Sequence, residues 1–119
     1  RHERVRQSAD LVVRNLRVVA RRAVYLCDDG IPRPVAAALL SELARAAALV
    51  ADALDDLTLE PAARAAVIAV ATRLDPVSVL PDASLGDQNL VAAMRPLAVD
   101  LLTATGMTPA DARTIVPRI

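Results

Sequence analysis

Apolar residues recur along this chain in alternating steps of four and three, the spacing that lines one side of an α-helix. Val5, Ala9, Val12, Leu16, Val19, Ala23 and Leu26 form the first such seam and predict a helix over about 3–28. Asp28-Asp29-Gly30 closes it, with Gly30 as a left-handed cap and Pro32 and Pro34 unable to continue the helix. Ala36, Leu40, Leu43, Ala47, Val50, Leu54 and Leu57 repeat the same steps and predict a second helix over about 34–57 that opens on Pro34. Two seams of equal length joined by a short loop read as an antiparallel helical hairpin.

The pattern continues more briefly downstream. Thr58 is the expected N-cap of a third helix, with Glu60 and Pro61 in its first turn and Ala63, Val67, Val70 and Leu74 as its seam. The stretch Pro76–Pro81 is short and bounded by prolines, so one turn or an extended crossing is expected. Ser84 and Asp87 resemble a capping box ahead of a fourth seam of Leu90, Met94, Leu97, Leu101 and Ala104, which ends at Gly106. Pro96 inside it predicts a kink near 92–95. Thr108-Pro109-Ala110-Asp111 opens a short fifth helix that Pro117 stops. The expected fold is all-α: one domain over 1–119, an antiparallel four-helix bundle with a long N-terminal hairpin and a short fifth C-terminal helix.

Composition changes this picture in two ways. All 14 basic side chains are Arg, Phe and Trp are absent, and Tyr25 is the single aromatic residue. A core of Ala, Val and Leu lets helices approach closely but buries little area per contact, so it needs many contacts or a partner. The net charge is zero, yet residues 1–28 hold seven Arg against three acids, a balance of +4. Residues 34–57 hold Arg45 against Glu42, Asp52, Asp55 and Asp56, a balance of −3. The second helix is thus expected to neutralise part of the first. The first helix is also apolar beyond its seam, because Leu11, Val18 and Tyr25 make a second stripe at seven-residue spacing and Val13, Ala20 and Val24 flank the first. One hairpin partner cannot cover all of that. Leu11, Val18 and Tyr25 are the expected contact with a partner or second subunit, and Arg14, Arg17 and Arg21 form a basic ridge suited to anionic lipid headgroups.

Candidate chemistry is sparse. His2 is the only histidine, the serines have no base near them in sequence, and the three glycines do not cluster. No metal site is expected from the Asp52-Asp55-Asp56 cluster, which reads as a solvated helix exit, and no cofactor or catalytic residue is expected. Cys27 reads as a small buried hydrophobe. Nucleic-acid binding through the arginines is disfavoured by the lack of Lys and of interleaved aromatics. No apolar run is expected to reach the length of a membrane span. The missing initial Met suggests a piece of a longer protein.

Two segments carry a family resemblance. They are 14–23 (Arg14-Asn-Leu-Arg-Val-Val-Ala-Arg-Arg-Ala23), followed by Asp29-Gly30-Ile-Pro32, and 91–106 (Val91-Ala-Ala-Met-Arg95-Pro-Leu-Ala-Val-Asp100-Leu-Leu-Thr-Ala-Thr-Gly106). Together they resemble the cytoplasmic C-terminal region of bacterial fusaric-acid-resistance-like, or aromatic acid exporter-like, membrane proteins of actinobacterial type. Ala93 and Pro96 depart from that pattern, where Gln and a small polar residue are expected. Arg95, Asp100 and Gly106 match it, with structural roles expected: Arg95 against an acidic helix end and Asp100 against an Arg of the first helix. The resemblance implies a helical domain on the cytoplasmic side of the inner membrane, attached to its own transmembrane segments and serving oligomerisation, regulation or partner contact without catalysis. A homo-oligomer is the expected state. The alternatives are a free-standing helical interaction bundle and, behind it, a nucleic-acid binder.

Overall fold

The computed structural model describes residues 2–119, without the side chains of His2, Arg4 and Val5. The seam position Val5 and the basic side chains of Arg1 and Arg4 therefore lie outside the described residues. The described chain is helical throughout its elements: α1 (His2–Cys27), α2 (Pro34–Asp55), a 3-10 turn (Leu57–Leu59), α3 (Glu60–Ala71), a single turn α4 (Pro76–Val79), α5 (Leu85–Ala104) and α6 (Pro109–Ile115).

Local chemistry sets the boundaries. Gly30 has a positive φ of 71° and its N–H donates to the Cys27 carbonyl at 3.2 Å, which ends α1. Pro34 stands in the first turn of α2. The Asp56 carboxylate, not Thr58, caps the next element: it accepts from the Thr58 N–H at 3.0 Å and from the Thr58 hydroxyl at 2.6 Å. Those bonds hold the Asp56 carboxyl below its usual range, and α3 begins only after the 3-10 turn. Asp75 caps α4 in the same way, its carboxyl lowered first by the Ser78 hydroxyl. Ser84 and Thr108 cap α5 and α6 as expected, accepting from the N–H groups of Asp87 and Asp111. Pro96 is accommodated on the exposed side of α5, which runs through it unbroken.

The core is organised around α5. Leu90, Val91, Met94, Leu97, Ala98, Leu101 and Leu102 are all buried, so this helix is covered on several sides. From α3 come Ala63, Val67, Val70 and Ala71, with Leu74 just beyond it; from α2 come Ala36, Leu39, Leu43, Ala46, Val50 and Ala53. Among the described residues, α1 contributes Val19 alone as a buried apolar residue.

This overturns the long N-terminal hairpin as the packing unit. The principal partner of α1 is α5, the principal partner of α2 is α3, and α1 and α2 are not a main contact pair. The physical cause lies in specific fits across α1 and α5. Asn15 donates to the Asp100 carboxylate, and Gly86 lets Leu26 come so close that an added Cβ would stand 2.8 Å from its Cδ2. The acidic second helix neutralises little of α1; its Glu42 instead pairs with Arg73, which ties α2 to α3.

Two further expectations are corrected. Cys27 is exposed rather than buried, because α1 ends there with its far side uncovered. Among the described residues α2 is long and apolar enough to cross a membrane by length and composition, contrary to the expectation that no stretch would be. Its apolar inner side is the one packed on α3 and α5.

Candidate functional site

The residues singled out in sequence fall into a largely half-buried polar layer and an exposed helix face. The polar layer holds α5 in place. Arg95 donates to two carbonyl oxygens, those of Leu74 and Pro117, and so clamps the loop after α3 and the C-terminal tail onto α5. No acidic helix end is needed, although Asp75 lies near enough for Arg95 to help lower its carboxyl pKa. Asp100 is half-buried and takes its hydrogen bond from Asn15, not from an arginine. Burial pushes its carboxyl above the usual aspartate range, while the Asn15 bond and the charge of Arg14 pull the other way. Gly106 has φ of 99°, ends α5, and leaves room for the Glu60 carboxylate, which an added Cβ would approach to 3.0 Å. Arg64 completes this corner, with its Nε 3.2 Å from the Thr105 hydroxyl, its Nη2 3.2 Å from Glu60 Oε1, and the Thr105 carbonyl as a further acceptor. Arg95 thus holds backbone, Asp100 joins α5 to α1, and Gly106 ends a helix.

A second polar joint lies at the loop between α1 and α2. Arg33 pairs with Asp29 at 2.6 Å and also with Asp87, pinning the α1–α2 loop to the start of α5. The two carboxylates raise the Arg33 pKa above its ordinary value, and Arg33 is the first cause of the lowered Asp29 carboxyl. Asp87 therefore spends its side chain on Arg33 rather than on closing the capping box. Among the described residues no buried side-chain nitrogen or oxygen lacks a hydrogen-bond partner, and no group of three or more His, Cys, Asp or Glu could hold a metal ion.

The exposed face is that of α1. Its inward side is Ser8, Val12, Asn15, Val19, Ala23 and Leu26, all buried or half-buried. Leu16, placed in the inward seam by its spacing, is 50% exposed. The expected contact stripe is partly open: Leu11 is 39% and Tyr25 85% exposed, while Val18 is half-buried against the bundle. Arg14, Arg17 and Arg21 stand exposed beyond it, and Arg14 makes no ion pair with Asp10 four residues before it. Arg21 and Arg22 border an open depression of about 300 Å3 with Tyr25, Leu26, Gly86 and Asn89, at the crossing of α1 and the first turn of α5.

On the far side of the arginine ridge lies a stripe that sequence reasoning did not assign to the surface. Ala9, Val13, Leu16, Ala20 and Val24 are all exposed, at steps of four, three, four and four. Val24 is 73% open. The signal was available in Ser8 and Asn15. Polar residues on the side facing α5 rotate the buried face away from Leu16, and a partner polar group (Asp100) makes that rotation affordable. The arrangement presents two apolar flanks separated by unpaired arginines along one helix. Compared with family models, curated proteins and solved structures, the chain has no match.

Proposed function

We propose that this chain is a non-catalytic helical association module. In this reading it is the cytoplasmic-side domain of an exporter-like membrane protein, and α1 meets a subunit or partner. The observation that carries the association reading is the uncovered face of α1, where Leu11, Val13, Leu16, Val24 and Tyr25 are exposed on a single helix. Monomeric proteins seldom leave two such apolar flanks open on one helix without a use. The membrane attachment rests on the resemblance of segments 14–23 and 91–106. It is supported further by the exposed Arg14, Arg17 and Arg21, which suit an anionic headgroup layer.

In this reading α1, α2, α3 and α5 make an antiparallel four-helix bundle. Support comes from pairs that run in opposite directions: Asn15 with Asp100 and Leu26 with Gly86 across α1 and α5, and Arg64 with Thr105 and Leu74 with Arg95 across α3 and α5.

Cell fractionation with an antibody to this chain tests the attachment. The native protein should stay with the membrane pellet through alkaline carbonate extraction; its release into the soluble fraction would leave a free-standing interaction bundle as the better reading.

A further inference from the structure

We infer that the occupant of the uncovered α1 flank is a second copy of this chain, joined by antiparallel pairing of the two α1 helices. The inference rests on the association reading above and deepens it by naming the partner and the register.

Area is the first argument. A folded monomer of 12.6 kDa is expected to expose about 6,200 Å2. This chain exposes 7041 Å2. The surplus of about 800 Å2 is what one partner buries in a standard interface. The radius of gyration points the same way, 14.2 Å against about 13.5 Å for a compact chain of this length. Both excesses are those of a molecule with one long helix covered on one side.

Complementarity is the second. Ala9, Val13, Leu16, Ala20 and Val24 form an exposed stripe with the near-heptad steps that pack one helix on another. A two-fold axis passing between Leu16 and Arg17 sets Ala9 against the partner's Val24 and Val13 against the partner's Ala20. Each contact then joins a small residue to a larger one, which lets the helices interdigitate. The two Leu16 side chains meet at the centre, and the Arg17 stems lie at the edge with their head groups in water. Two pairs of opposite charge flank the seam in this register, Asp10 near the partner's Arg21 and Asp28 near the partner's Arg6, while the two Arg17 head groups adjoin at the axis and stay in water. A two-fold pairing is closed, so it gives a dimer and not a filament.

Sedimentation equilibrium of the 119-residue chain from micromolar to millimolar concentration tests the inference. The expected mass is twice 12.6 kDa. Leu16→Glu should sediment as a monomer with an unchanged far-ultraviolet spectrum, since Leu16 is already half in water. Tyr25→Ala, on the other flank, should remain dimeric. A covalent readout fixes the register independently of stability. Residue 6 falls opposite the partner's Cys27, whereas 6 and 27 of one chain are about 30 Å apart along α1. Arg6→Cys should therefore give a disulfide-linked dimer under mild oxidation, and the parent with Cys27 alone should not. A dimer that survives Leu16→Glu, or an Arg6→Cys variant that does not cross-link, overturns the α1 pairing and leaves association through another face. A parent that stays monomeric throughout overturns the pairing of two copies and leaves the α1 flank to a partner other than this chain.

Discussion

Asp100 shows how much one half-buried carboxylate can set. Its folded pKa lies above the unfolded value of 3.8 chiefly through burial, so the folded state prefers it protonated. The resulting contribution to stability is fully present below the unfolded pKa and is lost as pH rises through the folded one. At neutral pH the charge is a cost. Asp100→Asn keeps an acceptor for Asn15 and removes that cost, so its melting temperature at pH 7 should exceed that of the parent. The gap should close as the pH falls towards 3.8 and below. Thermal melts of the pair across pH 3–8 decide it, and parallel curves would refute the assignment. Asp29, Asp56 and Asp75 have lowered pKa values and act in the opposite sense, contributing stability above 3.8 that is lost as acid protonates them. Gly106 carries a different kind of constraint. Its φ of 99° and the Glu60 oxygen 3.0 Å from a built Cβ both oppose a side chain. Gly106→Ala should cost about 1–2 kcal/mol in chemical denaturation, and a neutral result would mean the end of α5 can rearrange.

At the scale of elements, the helix that carries the fold is not the longest one. Met94 of α5 is fully buried, and Met94→Ala should cost about 2–5 kcal/mol. Leu16→Ala in the separate chain should cost under about 1 kcal/mol, because the side chain is half exposed there. Comparable losses at both sites in dilute denaturant titrations would return α1 to the core. The same contrast explains what the sequence made legible. The α3 seam of Ala63, Val67, Val70 and Leu74 is buried as the spacing predicts, since α2 and α5 press on one side of that helix. On α2 the pattern blurred: Leu39, Ala46 and Ala53 are buried beside half-buried Leu40, Ala47 and Leu54, because an alanine-rich helix has few polar residues to mark its edge. On α1 the face turned, since Ser8 and Asn15 point inward and the polar partner of Asn15 lies 85 residues away. Periodicity names faces; it does not name which faces meet. The pairing of α1 with α5 depended on Asn15 with Asp100 and on the space that Gly86 leaves for Leu26, features with no periodic signature.

At the scale of the whole molecule, the extents of 42 × 25 × 19 Å describe a bundle with one helix laid along its edge. The stability of such a body is uneven. Opening α1 uncovers one side of α5 and leaves the contacts of α2, α3 and α5 with one another intact, so α1 has a route to exchange that does not require global unfolding. Amides of 13–24 in α1 should therefore exchange faster than those of 91–102 in α5 when the chain is dilute. Pairing of two copies changes this selectively. A contact that exists only with α1 closed stabilises the closed form by mass action, and the protection it adds grows with the concentration of partner. Hydrogen exchange read at low and high protein concentration should show protection in 13–24 rising towards that of 91–102. In Leu16→Glu the α1 amides should stay fast at both concentrations. An α1 as protected as α5 in the dilute chain would show that the helix is locked onto the bundle by its own contacts, and that the open flank has no part in holding it there.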